Sequence, residues 1–290
     1  MTESNHILYK RVNNVTIIEF LIILLLFSVS MVAQTKRALV IGVGVQKDTN
    51  WGKINADKDI PYILQMLQNA GYVDVRTLVN EQATKAGIVE EFKNLATKCM
   101  DGDVIYIHFS GHGQLITDID GDEDDGWDES WIAYDSYKSY CINDKGEKHL
   151  TDDEINTLVT VIKRNIGTNG KILIVVDACH SGDSSRSNML SETIRGVSER
   201  FEIPHFGLKR NKKRREQWIT LSACKDYQLN QEMRMPKVGK LTYALYIAFL
   251  KGMVSLQEIE KLMNSYQGVL PQTPVLTGET NKYNISDFLR

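Results

Sequence analysis

The chain has 290 residues, 42% of them hydrophobic and 24% charged, which is ordinary for a globular protein with a full core and excludes disorder, collagen and coiled coil. Thirty-four Lys and Arg against 37 Asp and Glu leave a net charge of -3, so no overall basic field exists to hold nucleic acid. Four cysteines without a CxxC pair are too few for a disulfide scaffold, and each is judged by its neighbours.

The chain begins with a leader-like segment. Lys10 and Arg11 precede an uncharged apolar run, Phe20 to Ala33, that ends in small residues, the layout of a secretory signal. Fourteen apolar residues span about 21 Å of helix, short of the ~30 Å hydrocarbon core. The expectation is export, with residues 1–33 as a signal peptide and an outward-facing membrane anchor as the alternative, and with 34–290 forming one domain. Strands and helices alternate from Lys36. Ala38 to Val43 reads as a strand and Asp59 to Ala70 as a helix with Pro61 in its first turn; Val73 to Val79 and Thr84 to Met100 repeat the unit. Val104 to Phe109 is a third strand, Thr151-Asp-Asp-Glu154 is a capping box opening a helix, and Ile172 to Val176 is a fourth strand. Trp218 to Ser222 is a fifth, followed by helices at Thr242 to Lys251 and Leu256 to Ser265. Continuous apolar runs mark strands buried on both faces, so the pattern predicts an α/β fold whose mostly parallel sheet carries helices on both sides. A site would then lie beyond the strands' carboxyl ends. Two inserts break the rhythm: Asp118 to Asp135, with nine carboxylates and no Lys or Arg, and Arg195 to Arg215, which ends in a basic run from Lys209.

Three motifs follow strands: Ser110-Gly-His112-Gly, Asp177-Ala-Cys179-His-Ser-Gly182 and Ser222-Ala-Cys224. A thiol nucleophile, an imidazole and exposed amides are what a cysteine peptidase needs from fixed positions. His112 lies between two glycines, and Cys179 follows a buried strand, so the amides of Gly113 and Cys179 are candidate oxyanion donors. A lone cysteine is usually a small buried hydrophobe, but the Gly-His-Gly turn beside it favours catalysis. His108 inside a strand reads as a packed histidine, His180 as pointing away from the nucleophile, Cys99 as core, and Cys141 and Cys224 as without a local partner.

These His and Cys motifs resemble those of caspase-like peptidases. Asp120-Gly-Asp-Glu-Asp-Asp-Gly-Trp-Asp-Glu129, Ser222-Ala-Cys-Lys-Asp-Tyr-Gln228 and Gln272-Thr-Pro-Val-Leu276 narrow the resemblance to type I metacaspases and their bacterial relatives, from about Arg37 to about Leu276. The resemblance implies a caspase-hemoglobinase fold, a Cys179/His112 dyad without a third member, and cleavage of polypeptides after Arg or Lys, with no redox cofactor. It implies substrate-binding roles for Asp59, Asp177, Ser222 and Asp226. A basic side chain leaving water needs a fixed anion, which Arg takes bidentately. It also places Ca²⁺ ligands at Asp128, Asp152 and Asp153, hard oxygen donors that suit the ion. A further family carboxylate is replaced here by Arg186, with Asp183 nearby. An EF-hand is rejected, because Glu123 stands where its loop needs glycine.

The basic insert beside such an enzyme is a candidate self-cleavage substrate, expected to be cut between Arg195 and Arg215. A monomer is expected, touching membrane only through an uncleaved leader. A clostripain- or gingipain-like peptidase, an inactive caspase-like binding module and a calcium-dependent surface-binding protein are the rival readings.

Overall fold

Strand β1 (Lys36–Gly42) is buried from Ala38 onward, and its alternate side chains enter two different cores. Ala38 and Val40 pack with helix α1 (Ile60–Asn69), while Leu39 and Ile41 pack with helix α2 (Lys85–Lys98). That division is what a strand buried on both faces requires. The computed structural model describes residues 34–179, 194–204, 216–266 and 271–290. The expected leader, His180, Asp183, Arg186 and the basic run from Lys209 lie outside the described residues, and among those described no helix is long and apolar enough to cross a membrane.

Among the described residues the main sheet has six strands. Strand β2 (Asp74–Val79) is at one edge, followed by β1, β3 (Val104–Ser110), β7 (Lys171–Asp177), β8 (Ile219–Ser222) and β9 (Val275–Gly278). All pairings are parallel except β8 with β9. Helix α3 (Asp152–Ile166) joins α2 on one face; α4 (Lys240–Leu250) and α5 (Leu256–Ser265) join α1 on the other. The capping box holds as expected: Thr151 Oγ1 accepts from Glu154 N at 3.4 Å, and Glu154 Oε2 accepts from Thr151 N at 3.3 Å.

The acidic insert is not a plain loop. It contributes β5 (Trp127–Ile132), which pairs antiparallel with β4 (Gly113–Thr117) and with β6 (His149–Thr151) in a second, three-stranded sheet. Its apolar anchor was hidden among the carboxylates: Trp131 stacks on Phe109 of β3, with ring centroids 4.6 Å apart. Gly42, Ser110 and Asp177 are register partners across β1, β3 and β7, so three strands end at one level, where the small sheet begins.

Candidate active site

His112 and Cys179 each stand two residues beyond a member of that register row. Their strands are adjacent, so the polypeptide brings both residues to one rim. His112 is 2% exposed and Cys179 3%. The His112 Nε2 accepts no competing role: it lies 2.7 Å from the Gly52 carbonyl, which can only accept, so Nε2 carries the proton. Its Nδ1 is therefore the basic nitrogen, and it is buried without a hydrogen-bond partner among the described residues. Burial lowers the imidazole to about 4, the Gly52 contact opposing it only in part, so the ring is neutral near pH 7. Trp51 packs against the ring at 5.1 Å between centroids. The expected dyad thus has a third, orienting contact, a backbone carbonyl that no side-chain motif could announce.

The Cys179 thiol donates to the Gln228 carbonyl at 3.1 Å. Cys224, expected to have no local partner, donates to the same oxygen at 3.4 Å. A hydrogen bond to Cys179 and burial push the Cys224 thiol well above the ordinary cysteine range. The register between strands explains the meeting: Val176 pairs with Ser222, so Cys179 and Cys224 leave neighbouring strands close together. Gly113 forms a non-hydrogen-bonded pair with Trp131, because Ile132 N donates to His112 O at 3.1 Å; the ladder does not use the Gly113 N–H.

Beside the thiol lies a carboxylate pocket, and the chain fills it with its own arginine. Arg195 is fully buried. Its Nη1 and Nη2 donate to Asp59 Oδ2 and Oδ1 at 2.6 and 3.1 Å, a bidentate fork. Nη1 also lies 3.4 Å from Asp177 Oδ1, and Nε donates to Glu232 Oε1 at 3.1 Å. Asp59 further accepts from Gly239 N at 2.9 Å and Ser110 Oγ at 2.8 Å. Asp177 accepts from Asn230 Nδ2 at 2.7 Å and from Thr242 Oγ1 at 2.6 Å. Burial opposes ionisation of Asp177, but Arg195 and these donors overturn it and hold the carboxyl below its ordinary value. Burial pushes the Asp59 carboxyl upward, against the pull of Arg195.

Sequence reasoning found Asp59 and Asp177 but missed Glu232, Asn230, Thr242 and Gly239, which come from irregular segments and a helix start without periodic signal. Glu232 is held in turn by Asn55, whose N and Nδ2 donate to it at 2.7 and 2.6 Å. Two expected members stand apart: Ser222 closes β8, and Asp226 is exposed on the turn before Gln228, neither among the described contacts of Arg195. His108 is packed as read, hydrogen-bonded to Tyr106 Oη at 2.9 Å and Ser110 Oγ at 3.1 Å, and burial lowers it to about 3.

The expected calcium ligands are split between two neighbouring groups. Asp128 and Asp153 join Asp122, and Asp152 joins Glu123 and Glu129, each group with carboxylate oxygens within 4.8 Å of one another. Asp128 is 2% exposed and its Oδ1 is buried without a hydrogen-bond partner among the described residues. Burial, then the charges of Asp152, Asp118 and Asp153, push its carboxyl up to about 8. Such a set fits a hard cation, which takes six to eight oxygens at about 2.3–2.6 Å.

Comparison with known proteins gives the family and the fold. The family described as metacaspase, peptidase C14 domain, matches residues 36–186, just over half of the chain. Metacaspase-1A of Aspergillus niger is 30% identical over 168 residues, and that of Aspergillus terreus 32% over 168 residues; each match covers 54% of this chain and 38% of the relative. The chain therefore spans well under half the length of these relatives. A crystal structure of a Geobacter sulfurreducens protein superposes with a TM-score of 0.62 at 22% identity, covering 88% of this chain and 97% of that one. Caspase-1 from Spodoptera frugiperda follows with a TM-score of 0.55 at 12% identity, covering 85% and 89%. The fold is the caspase-like α/β fold expected from the motifs.

Proposed function

Because the chain belongs to the metacaspase, peptidase C14 domain, family, we propose that it is a cysteine endopeptidase that cuts polypeptides after Arg or Lys through Cys179 and His112. The observation that carries this reading is the Arg195 guanidinium in the Asp59, Asp177 and Glu232 pocket beside the Cys179 thiol. A pocket of buried carboxylates is costly unless a cation completes it. A basic P1 side chain is such a cation.

In the proposed reaction His112 Nδ1 takes the Cys179 proton, and Gly52 holds the ring in the tautomer that leaves Nδ1 basic. The thiolate attacks the P1 carbonyl, and the Gly113 and Cys179 amides receive the developing oxyanion. His112 then protonates the departing amine and later activates the water that releases the acyl group. Asp122, Asp128 and Asp153, with Asp152 alongside, would hold a calcium ion, which when bound neutralises the crowded acidic loop. The proposal includes calcium activation, self-processing between Arg195 and Arg215, a monomeric enzyme, and export by the leader, to be followed by cell fractionation.

The test is hydrolysis of fluorogenic Arg and Lys peptides, with and without Ca²⁺, by the wild type beside Cys179→Ala. Release that depends on Cys179 is expected; a protein whose Cys179 reacts with an alkylating agent but which ignores every basic peptide would refute the reading.

A further inference from the structure

Behind the carboxylate pocket runs a chain of hydrogen bonds whose direction is fixed by the chemistry of its members. Tyr106, His108 and Ser110 occupy alternate positions of β3, so they share the sheet face that α1 and α4 cover, and all three are fully buried. Tyr106 Oη lies 2.9 Å from His108 Nδ1. On the other side of the ring, His108 Nε2 lies 3.1 Å from Ser110 Oγ and 3.2 Å from Thr242 Oγ1. Ser110 Oγ donates to Asp59 Oδ2 at 2.8 Å, and Thr242 Oγ1 donates to Asp177 Oδ2 at 2.6 Å.

A hydroxyl has one proton to give. Ser110 and Thr242 each spend theirs on a carboxylate, so toward His108 their oxygens only accept, and Nε2 carries the ring proton. Nδ1 is then bare and takes the Tyr106 O–H. The donors therefore all point one way, from Tyr106 through His108 to the two hydroxyls and on to Asp59 and Asp177.

We propose that His108 is a positioning residue of the P1 pocket: its ring turns the Ser110 and Thr242 protons toward Asp59 and Asp177, and so sets both carboxylates to receive a basic side chain. The inference rests on the peptidase reading above and names what orders its specificity pocket. A hydroxyl that loses this donor is free to rotate and turn its lone pairs on the carboxylate, which weakens the anion that the P1 cation needs. The ring has to act without a charge of its own, because an imidazolium behind the pocket would compete with the P1 side chain for the same carboxylates. Burial lowers His108 to about 3, with Asp177 pulling the other way and Arg195 assisting, so the ring is neutral near pH 7. A histidine that merely fills space has no need of a donor on one side and two acceptors on the other.

The test has a spectroscopic and a kinetic arm, both on the full chain. Proton–nitrogen NMR of the imidazole rings near pH 7 should show one ring, missing from the His108→Gln spectrum, with the proton on Nε2 and Nδ1 bare. An Nδ1–H ring or an imidazolium overturns the inference. In steady-state hydrolysis of Arg peptides, His108→Phe, which keeps a ring without its nitrogens, should raise KM about tenfold and leave kcat within about twofold. His108→Gln, which still accepts from Tyr106 and donates to the hydroxyls, should stay nearer to wild type. Should His108→Phe fail to fold, Tyr106→Phe removes only the first donor and should raise KM by a smaller factor. An unchanged KM in these Phe variants, or a loss confined to kcat, overturns the inference and leaves the peptidase reading standing. A wild type that hydrolyses no basic peptide, with Cys179 still open to alkylation, overturns the peptidase reading and this inference with it.

Discussion

Ser110 and Asp177 are register partners on the adjacent parallel strands β3 and β7, so His112 and Cys179, two residues beyond each, leave the sheet at one level. Placement of the imidazole and thiol is therefore inherited from strand pairing, and the loops need only turn the side chains.

The closed site should move the acid limit of self-cleavage. Burial lowers His112 to about 4 from its ordinary 6.5, so the neutral base persists as pH falls and is lost only near 4. Once the segment that carries Arg195 has left, water returns to the ring and the value rises. Self-cleavage measured against pH should fall near 4, and hydrolysis of an added Arg peptide by the processed enzyme should fall nearer 6.5. Coincident acid limbs would count against burial as the cause.

The third carboxylate should favour arginine. The guanidinium spans from Asp59 to Glu232, while a compact ammonium cannot reach both. A hydrogen bond to a charged group is worth about 1.5–3 kcal/mol, so Glu232→Gln should lower kcat/KM for Arg peptides roughly ten- to a hundredfold. Lys peptides should lose much less, and the ratio of the two rates measures it.

Gly239 abuts the pocket so closely that a methyl group has no room. A Cβ there would collide with Asp177 Oδ2 and stand 2.5 Å from Arg195 Nη1. Gly239→Ala should cost about 1–3 kcal/mol of stability, as overpacking does, and should depress both self-cleavage and Arg-peptide hydrolysis. Thermal unfolding and the two rates, measured on one preparation, check this.

Calcium should raise the melting temperature. Asp122, Asp128 and Asp153 bring their carboxylate oxygens together around a buried Asp128 oxygen that has no hydrogen-bond partner among the described residues, and a cation bound only to the folded state stabilises it by mass action. Asp128→Asn keeps the neutral form that burial imposes on this carboxyl below about pH 8, so the metal-free variant should melt no lower than wild type while its response to Ca²⁺ disappears. A melting shift of wild-type size in the variant would remove Asp128 from the site.

Most of the sheet was legible in the chain itself. Val104 to Ser110 and Lys171 to Asp177 are near-continuous apolar runs, and each ends in the motif that holds His112 or Cys179. The helices were readable for the same reason: Thr84 and Thr151 cap helices α2 and α3, and the apolar spacing names the buried faces. Strand β5 was not, because Asp128, Glu129 and Ser130 put polar side chains on both of its faces and only Trp131 and Ile132 at its end read as core.

The contents of the pocket lay beyond any local pattern. Arg195 and Asp59 are 136 positions apart, and Glu232 arrives on another irregular segment. Local propensity and hydrophobic period act over a few turns of chain, whereas a buried ion cluster depends on which loops meet after the layers have packed and excluded water. The linear code thus specified the scaffold and the imidazole and thiol at its rim; closure of the fold put an arginine of the same chain between three carboxylates.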